Sequence, residues 1–142
     1  MSHFVQISFY IIILFLSACV QKIPLNETVQ KGSVIHFNSK PFTGIAFSRY
    51  SNGSVYMEEE YENGIRNGEK RIWYLNGQQK LKETYFNGKL NGKKIEWYEN
   101  GQQKTEKTFV EGEETGKYYE WFENGKKKLE VDKKARTTFY NN

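Results

Sequence analysis

Along most of the chain, apolar and polar residues fall into runs of seven to nine, and each run stops at a glycine-bearing turn. Arg71-Ile72-Trp73-Tyr74 and Leu81-Lys82-Glu83-Thr84-Tyr85 are typical. Trp, Tyr, Phe, Ile and Thr are concentrated in these runs, and such residues suit a pleated surface. No run carries apolar residues at helical spacing. Asn-Gly stands at 52–53, 63–64, 76–77, 87–88, 100–101 and 124–125, and Glu111-Gly112 takes that place once. Asn and Gly tolerate the positive φ that a two-residue type I′ hairpin requires at both central positions. The pattern predicts short strands joined by tight hairpins.

The turns keep a beat. Gly44, Gly68, Gly92 and Gly116 are each 24 residues apart, as are Gly53, Gly77, Gly101 and Gly125, and Gly64, Gly88 and Gly112. Eleven of the 12 glycines lie on this lattice, which makes coincidence a poor explanation. Trp73, Trp97 and Trp121 follow the same period, as do Tyr50, Tyr74, Tyr98 and Phe122. A fixed period in this range marks a repeat protein whose units bury surface only against their neighbours. The expected fold is all-β: an elongated, single-layer antiparallel β-meander of about four 24-residue hairpin repeats, near 44–67, 68–91, 92–115 and 116–142.

If every turn is a two-residue hairpin, the pairing follows. Tyr74 stands opposite Gln79, Trp73 opposite Lys80, Ile72 opposite Leu81 and Tyr85 opposite Leu90. An even period keeps equivalent residues on one face, so they form columns. Trp73, Trp97 and Trp121 are then interleaved with Lys80, Lys104 and Lys128 on one exposed face, which is the candidate partner-binding surface. Asn52-Gly53, Asn76-Gly77, Asn100-Gly101 and Asn124-Gly125 are assigned as structural turns. Both faces mix aromatic with charged residues, so neither is a sealed core.

The N-terminus is different. Residues 1–18 carry no Asp, Glu, Lys or Arg, and Phe9 to Leu16 is an unbroken apolar run. That length suits the core of a signal peptide better than a membrane span. It ends in Leu16-Ser17-Ala18-Cys19, which resembles the lipobox of bacterial lipoproteins. The resemblance implies that residues 1–18 are removed and that Cys19 becomes a lipidated first residue. Cys19 is the only cysteine, so no internal disulfide can form. Residues 19–32, with Pro24 and few apolar side chains, are read as a linker to a repeat domain at 33–142. Ser33 to Phe37 is expected to be its first strand, followed by a turn at Asn38 to Pro41.

Removing 18 of 142 residues leaves 124, enough for one domain. The net charge of +4 is banded: −2 for residues 44–67, +3 for 68–91, −2 for 92–115 and +3 for 116–142. Nucleic-acid binding calls for a continuous basic stripe, and this banding gives none. Catalysis has little to work with. His36 is the only histidine beyond the apolar leader, set among Val34, Ile35 and Phe37 on an expected edge strand, without a positioned partner. No His/Cys spacing fits zinc, and no glycine-rich loop fits a phosphate. Glu58, Glu59, Glu60 and Glu62 alternate in direction along a strand, which reads as a solvated acidic edge rather than a calcium site. No enzyme activity, cofactor or metal is expected.

The unit from Gly68 to Gly88, with Trp73-Tyr74-x-Asn76-Gly77 and Tyr85-x-Asn87-Gly88, resembles the bacterial form of the MORN repeat. Lys40-Pro41-Phe42-Thr43-Gly44 is similar to the start of the array in YwqK-type antitoxins. The resemblance spans about residues 33–132 and implies a protein-binding scaffold, with neutralisation of a toxin as one role. Two readings of function follow. In the first, a lipid-anchored module at the bacterial cell envelope, in the outer membrane or facing the periplasm, binds a partner protein such as a toxin or an envelope component. In the second, the Trp and Tyr columns stack on glycans of the cell wall. The oligomeric state is left open.

Overall fold

A computed structural model of the chain describes residues 20–133. The apolar leader, Cys19 and the C-terminal residues from 134 onward, Arg136 included, lie outside the described residues. The chain is all-β. Nine strands lie side by side in one sheet, in the order that follows. These are β1 (Lys22–Pro24), β5 (Gly44–Arg49), β6 (Val55–Glu62), β7 (Ile65–Trp73), β8 (Gln79–Phe86), β9 (Lys89–Trp97), β10 (Gln103–Val110), β11 (Glu113–Trp121) and β12 (Lys127–Asp132). From β5 onward every neighbour is the next strand in the chain, antiparallel to it. That is the expected meander.

The segment read as a linker is structured. β1 pairs in parallel with β5, with Ile23 beside Ala46, and buries Ile23 to 5% exposure. A short 3₁₀ turn (Leu25–Glu27) leads into a separate three-stranded sheet made of β2 (Val29–Lys31), β3 (Val34–Phe37) and β4 (Lys40–Pro41). Ile23 in the core, Leu25 packed against it, the Lys22–Glu58 ion pair and the bond from Ile45 N–H to Gln21 O hold a segment that composition alone assigns to spacing. The expected first strand, β3, thus belongs to the small sheet and is its central strand. Its hairpin turns at Asn38-Ser39, both with positive φ, so the turn expected at Asn38 to Pro41 is shorter and Lys40–Pro41 pairs back on β3 as a strand.

The core lies at one end. Ile23, Ile35, Phe42, Ala46 and Tyr61 are the buried hydrophobic residues among those described, and they pack where the small sheet covers the start of the large one. Where the small sheet does not reach, the large sheet is a single layer. From β7 onward its aromatic side chains, Trp73, Trp97 and Trp121 among them, are half-buried by their neighbours on the pleat, except Phe86, which is exposed.

The Asn-Gly turns divide into two kinds. At Asn63-Gly64, Asn87-Gly88 and Glu111-Gly112 both residues have positive φ (+50/+79°, +47/+81° and +52/+90°), as type I′ requires. At 52–53, 76–77, 100–101 and 124–125 only the glycine does, with φ between +80 and +88°. There Gly77 N–H bonds to Tyr74 O at 3.0 Å and Tyr74 N–H bonds to Gln78 O at 2.8 Å. This is a three-residue loop closed by a glycine bulge. The extra residue shifts the register: Ile72 faces Leu81 and Tyr85 faces Leu90 as expected, but Trp73 faces Gln79, not Lys80. The pairs Trp73–Lys80 and Tyr74–Gln79 are therefore not formed.

Candidate functional site

The first three bulged turns are each tied to the next repeat. The Tyr50, Tyr74 and Tyr98 hydroxyls donate to the backbone carbonyls of Trp73, Trp97 and Trp121 at 2.7, 2.8 and 2.9 Å. Asn76 and Asn100 accept from the N–H of Gln78 and Gln102 through Oδ1, and their Nδ2 atoms donate to Glu99 O and Glu123 O, each at 2.9 Å. The asparagine is thus used for its side chain, not for positive φ. At the opposite ends of the strands, Gly88 and Gly112 N–H groups donate back to Arg66 O and Leu90 O at 2.8 Å. Both edges of the ribbon are stitched between repeats.

The candidate binding columns are rearranged by the bulge. Lys80, Lys104 and Lys128 lean over tyrosine-column rings, with Nζ atoms 5.3, 5.5 and 5.7 Å from the centroids of Tyr74, Tyr98 and Phe122. They do not stand opposite the tryptophans. Strand alternation places Trp73, Trp97 and Trp121 with Arg71, Ile95 and Tyr119; the Tyr119 and Trp121 rings stack at 5.7 Å. The lysines are exposed and the tryptophans half-buried. What the sequence joins as one Trp–Lys column is a lysine–tyrosine ridge with a separate row of tryptophans.

A second site was not anticipated. Glu59, expected at a solvated edge, is 2% exposed. Its carboxylate accepts from the Tyr61 hydroxyl and from Arg66 Nε at 2.7 Å, with Lys70 Nζ 3.6 Å away. Burial, then the Glu59 carboxylate it donates to, hold the Tyr61 proton well above the usual phenol range. These four residues floor a cleft of about 740 Å³ where the two sheets meet. One repeat on, Glu83 is 6% exposed, Tyr85 OH donates to it at 2.9 Å and Lys94 pairs with it at 2.9 Å. A further repeat on, the charges reverse: Lys107 stands at the Glu83 position and pairs with Glu114 at 3.2 Å. The Glu-x-Tyr spacing repeated at 59–61 and 83–85 is the sequence signal for this network. A carboxylate on the same lattice point in two repeats, two residues before a tyrosine on another, marks an inward-facing pair.

Elsewhere ion pairs link neighbouring repeats, as in Lys89–Glu111 and Lys133–Glu114, both at 3.2 Å. Among the described residues no group of three or more His, Cys, Asp or Glu is placed to hold a metal ion. His36 lies in the small sheet with Nδ1 enclosed and unbonded. Comparison with protein-family models, curated proteins and solved structures found no match.

Proposed function

We propose that this chain is a non-catalytic interaction module that holds a partner protein at the bacterial cell envelope, anchored through a lipidated Cys19. The observation that carries this reading is the confinement of the buried hydrophobic residues to positions 23–61, while the ribbon continues as a single layer to Asp132. Such a ribbon leaves aromatic residues part-exposed over its whole length. Nine strands at about 4.8 Å span roughly 40 Å, enough for a standard interface. Repeat sheets offer extended surfaces of this kind, and Trp and Tyr are the residue types that most often anchor them. An antitoxin or immunity role, as the MORN-like unit implies, fits the same surface.

The test compares retention of an envelope protein by the anchored wild type, Trp97→Ala and Lys104→Glu, with folding followed by circular dichroism. Loss of a specific partner in either variant, with the fold intact, supports the reading and identifies the row that binds. Retention indifferent to both substitutions overturns it.

A further inference from the structure

The cleft between the two sheets contains an under-used cation. Lys70 and Lys94 occupy the same lattice position one repeat apart. Lys94 closes a 2.9 Å pair with Glu83, whereas Lys70 stands 3.6 Å from Glu59 and makes no hydrogen bond among the described residues. The reason is Arg66, which has no counterpart in the next repeat, where Leu90 takes its place. Arg66 and Tyr61 together satisfy Glu59 and leave the Lys70 ammonium without a close acceptor. The Lys70 side chain is 19% exposed and lines the cleft. An ammonium facing a cleft with donors left over favours an incoming anion.

The guanidinium of Arg66 borders the same space, 46% exposed, and has more donors than Glu59 and Tyr61 use. The rest of the lining is mixed, with Leu25, Ile35, Met57 and Ile65 supplying apolar surface beside Thr28, Gln30 and Ser33. Its volume, about 740 Å³, lies within the range that encloses small ligands. Lys89 also lines the cleft but is paired with Glu111 at 3.2 Å, so with Glu59 set against Lys70 and Arg66 there is room for one further negative charge rather than two.

We propose that this cleft binds a monoanionic carboxylate carried on an apolar body, held between Lys70 and Arg66 with the apolar part against Met57 and Ile65. A small organic acid and the C-terminal carboxylate of a peptide share this chemistry. The site is separate from the lysine–tyrosine ridge and does not depend on it.

The test is calorimetric titration of the full chain with hexanoate, with its neutral isostere hexanamide, and with an acetylated Ala-Ala-Leu peptide bearing either a free or an amidated C-terminus. Saturable binding of hexanoate alone assigns a small-acid site, and preference for the free-acid peptide assigns a chain terminus. Lys70→Gln should weaken either at least tenfold, while Lys94→Gln leaves it unchanged. Should Lys70→Gln fail to fold, Ile65→Asp, at an exposed position on the rim, should abolish binding by charge repulsion. Absence of saturation with both carboxylates, equal binding of hexanamide, or indifference to Lys70→Gln in a folded protein overturns the proposal.

Discussion

The hydroxyl of Tyr74 donates to the backbone carbonyl of Trp97, 2.8 Å away and one repeat further along the chain. Tyr50 and Tyr98 repeat the arrangement, but at the fourth position the residue is Phe122. The carbonyls of all three tryptophans are already taken by Tyr50, Tyr74 and Tyr98. The bond predicts its own asymmetry. Tyr74→Phe should lower stability by about 1 kcal/mol, the usual net worth of one internal hydrogen bond. Phe122→Tyr should fall within about 0.5 kcal/mol of the wild type, as for most surface changes. Chemical denaturation of both variants checks the pair.

Gly77 and Gly101 hold φ near +84 and +83° in the bulged turns. A β-branched residue resists that conformation even though Gly77 has open space around it. Gly77→Val and Gly101→Val should each cost about 1–3 kcal/mol, the range for a strained backbone position. Unchanged melting temperatures in both would contradict the turn geometry.

High pH should loosen the ribbon. Burial and then Glu59 raise the Tyr61 phenol, burial and then Glu83 raise Tyr85, and burial and then Glu120 push Tyr118 up to about 12. Groups whose folded pKa is raised contribute stability that is whole below the unfolded value of 10.0 and is lost as pH climbs through the folded values. Denaturation midpoints should therefore hold steady up to about pH 10 and fall above it. Tyr85→Phe should flatten part of that decline.

Acid should act through the carboxylates. Lys82 chiefly holds Glu69 low, and Lys117 and Lys127 hold Glu130 low; at Glu106 and Glu114 burial opposes the shift, and bonds from Lys93 and Lys107 outweigh it. Their contribution is present above the ordinary value of 4.5 and is lost as pH falls through the lower folded values. The melting temperature should drop over that interval, and Lys82→Met should remove the share due to Glu69.

The anchor is testable without reference to the sheet. Wild-type protein should partition with membranes and lack residues 1–18, whereas Cys19→Ser should accumulate as an unprocessed chain. Lipid chains add about 0.8 kcal/mol per buried CH₂, so a multiply acylated cysteine would hold firmly. Intact, soluble wild-type protein would rule the anchor out.

The glycine lattice made the repeat and the hairpin order legible, although the strand that flanks the array in the large sheet proved to be Lys22–Pro24 and not the segment after Ser33. The turn types were not legible, for a definite reason. Tyr-Glu-Asn-Gly occurs at both 61–64 and 98–101, yet Asn63 takes φ +50° while Asn100 does not enter positive φ. The same four residues meet different neighbours: Asn100 finds Gln102 N–H and Glu123 O for its side chain, and Asn63 N–H meets the Thr43 hydroxyl. One residue of bulge then moves every lysine from tryptophan to tyrosine. The buried Glu59 was missed because alternation along one strand says nothing about the second sheet that covers it.

Stitching between adjacent repeats also determines how the ribbon would fail under tension. The bonds from Tyr74, Asn76 and Gly112 each reach one repeat and no further, so no described contact ties the two ends of the array together. A pull on the C-terminal end against a fixed N-terminal end would peel the sheet one hairpin pair at a time. Each event would release 24 residues, about 80 Å of slack. The packed end around Ile23, Phe42 and Tyr61 would yield last, leaving the cleft intact after the outer repeats had given way.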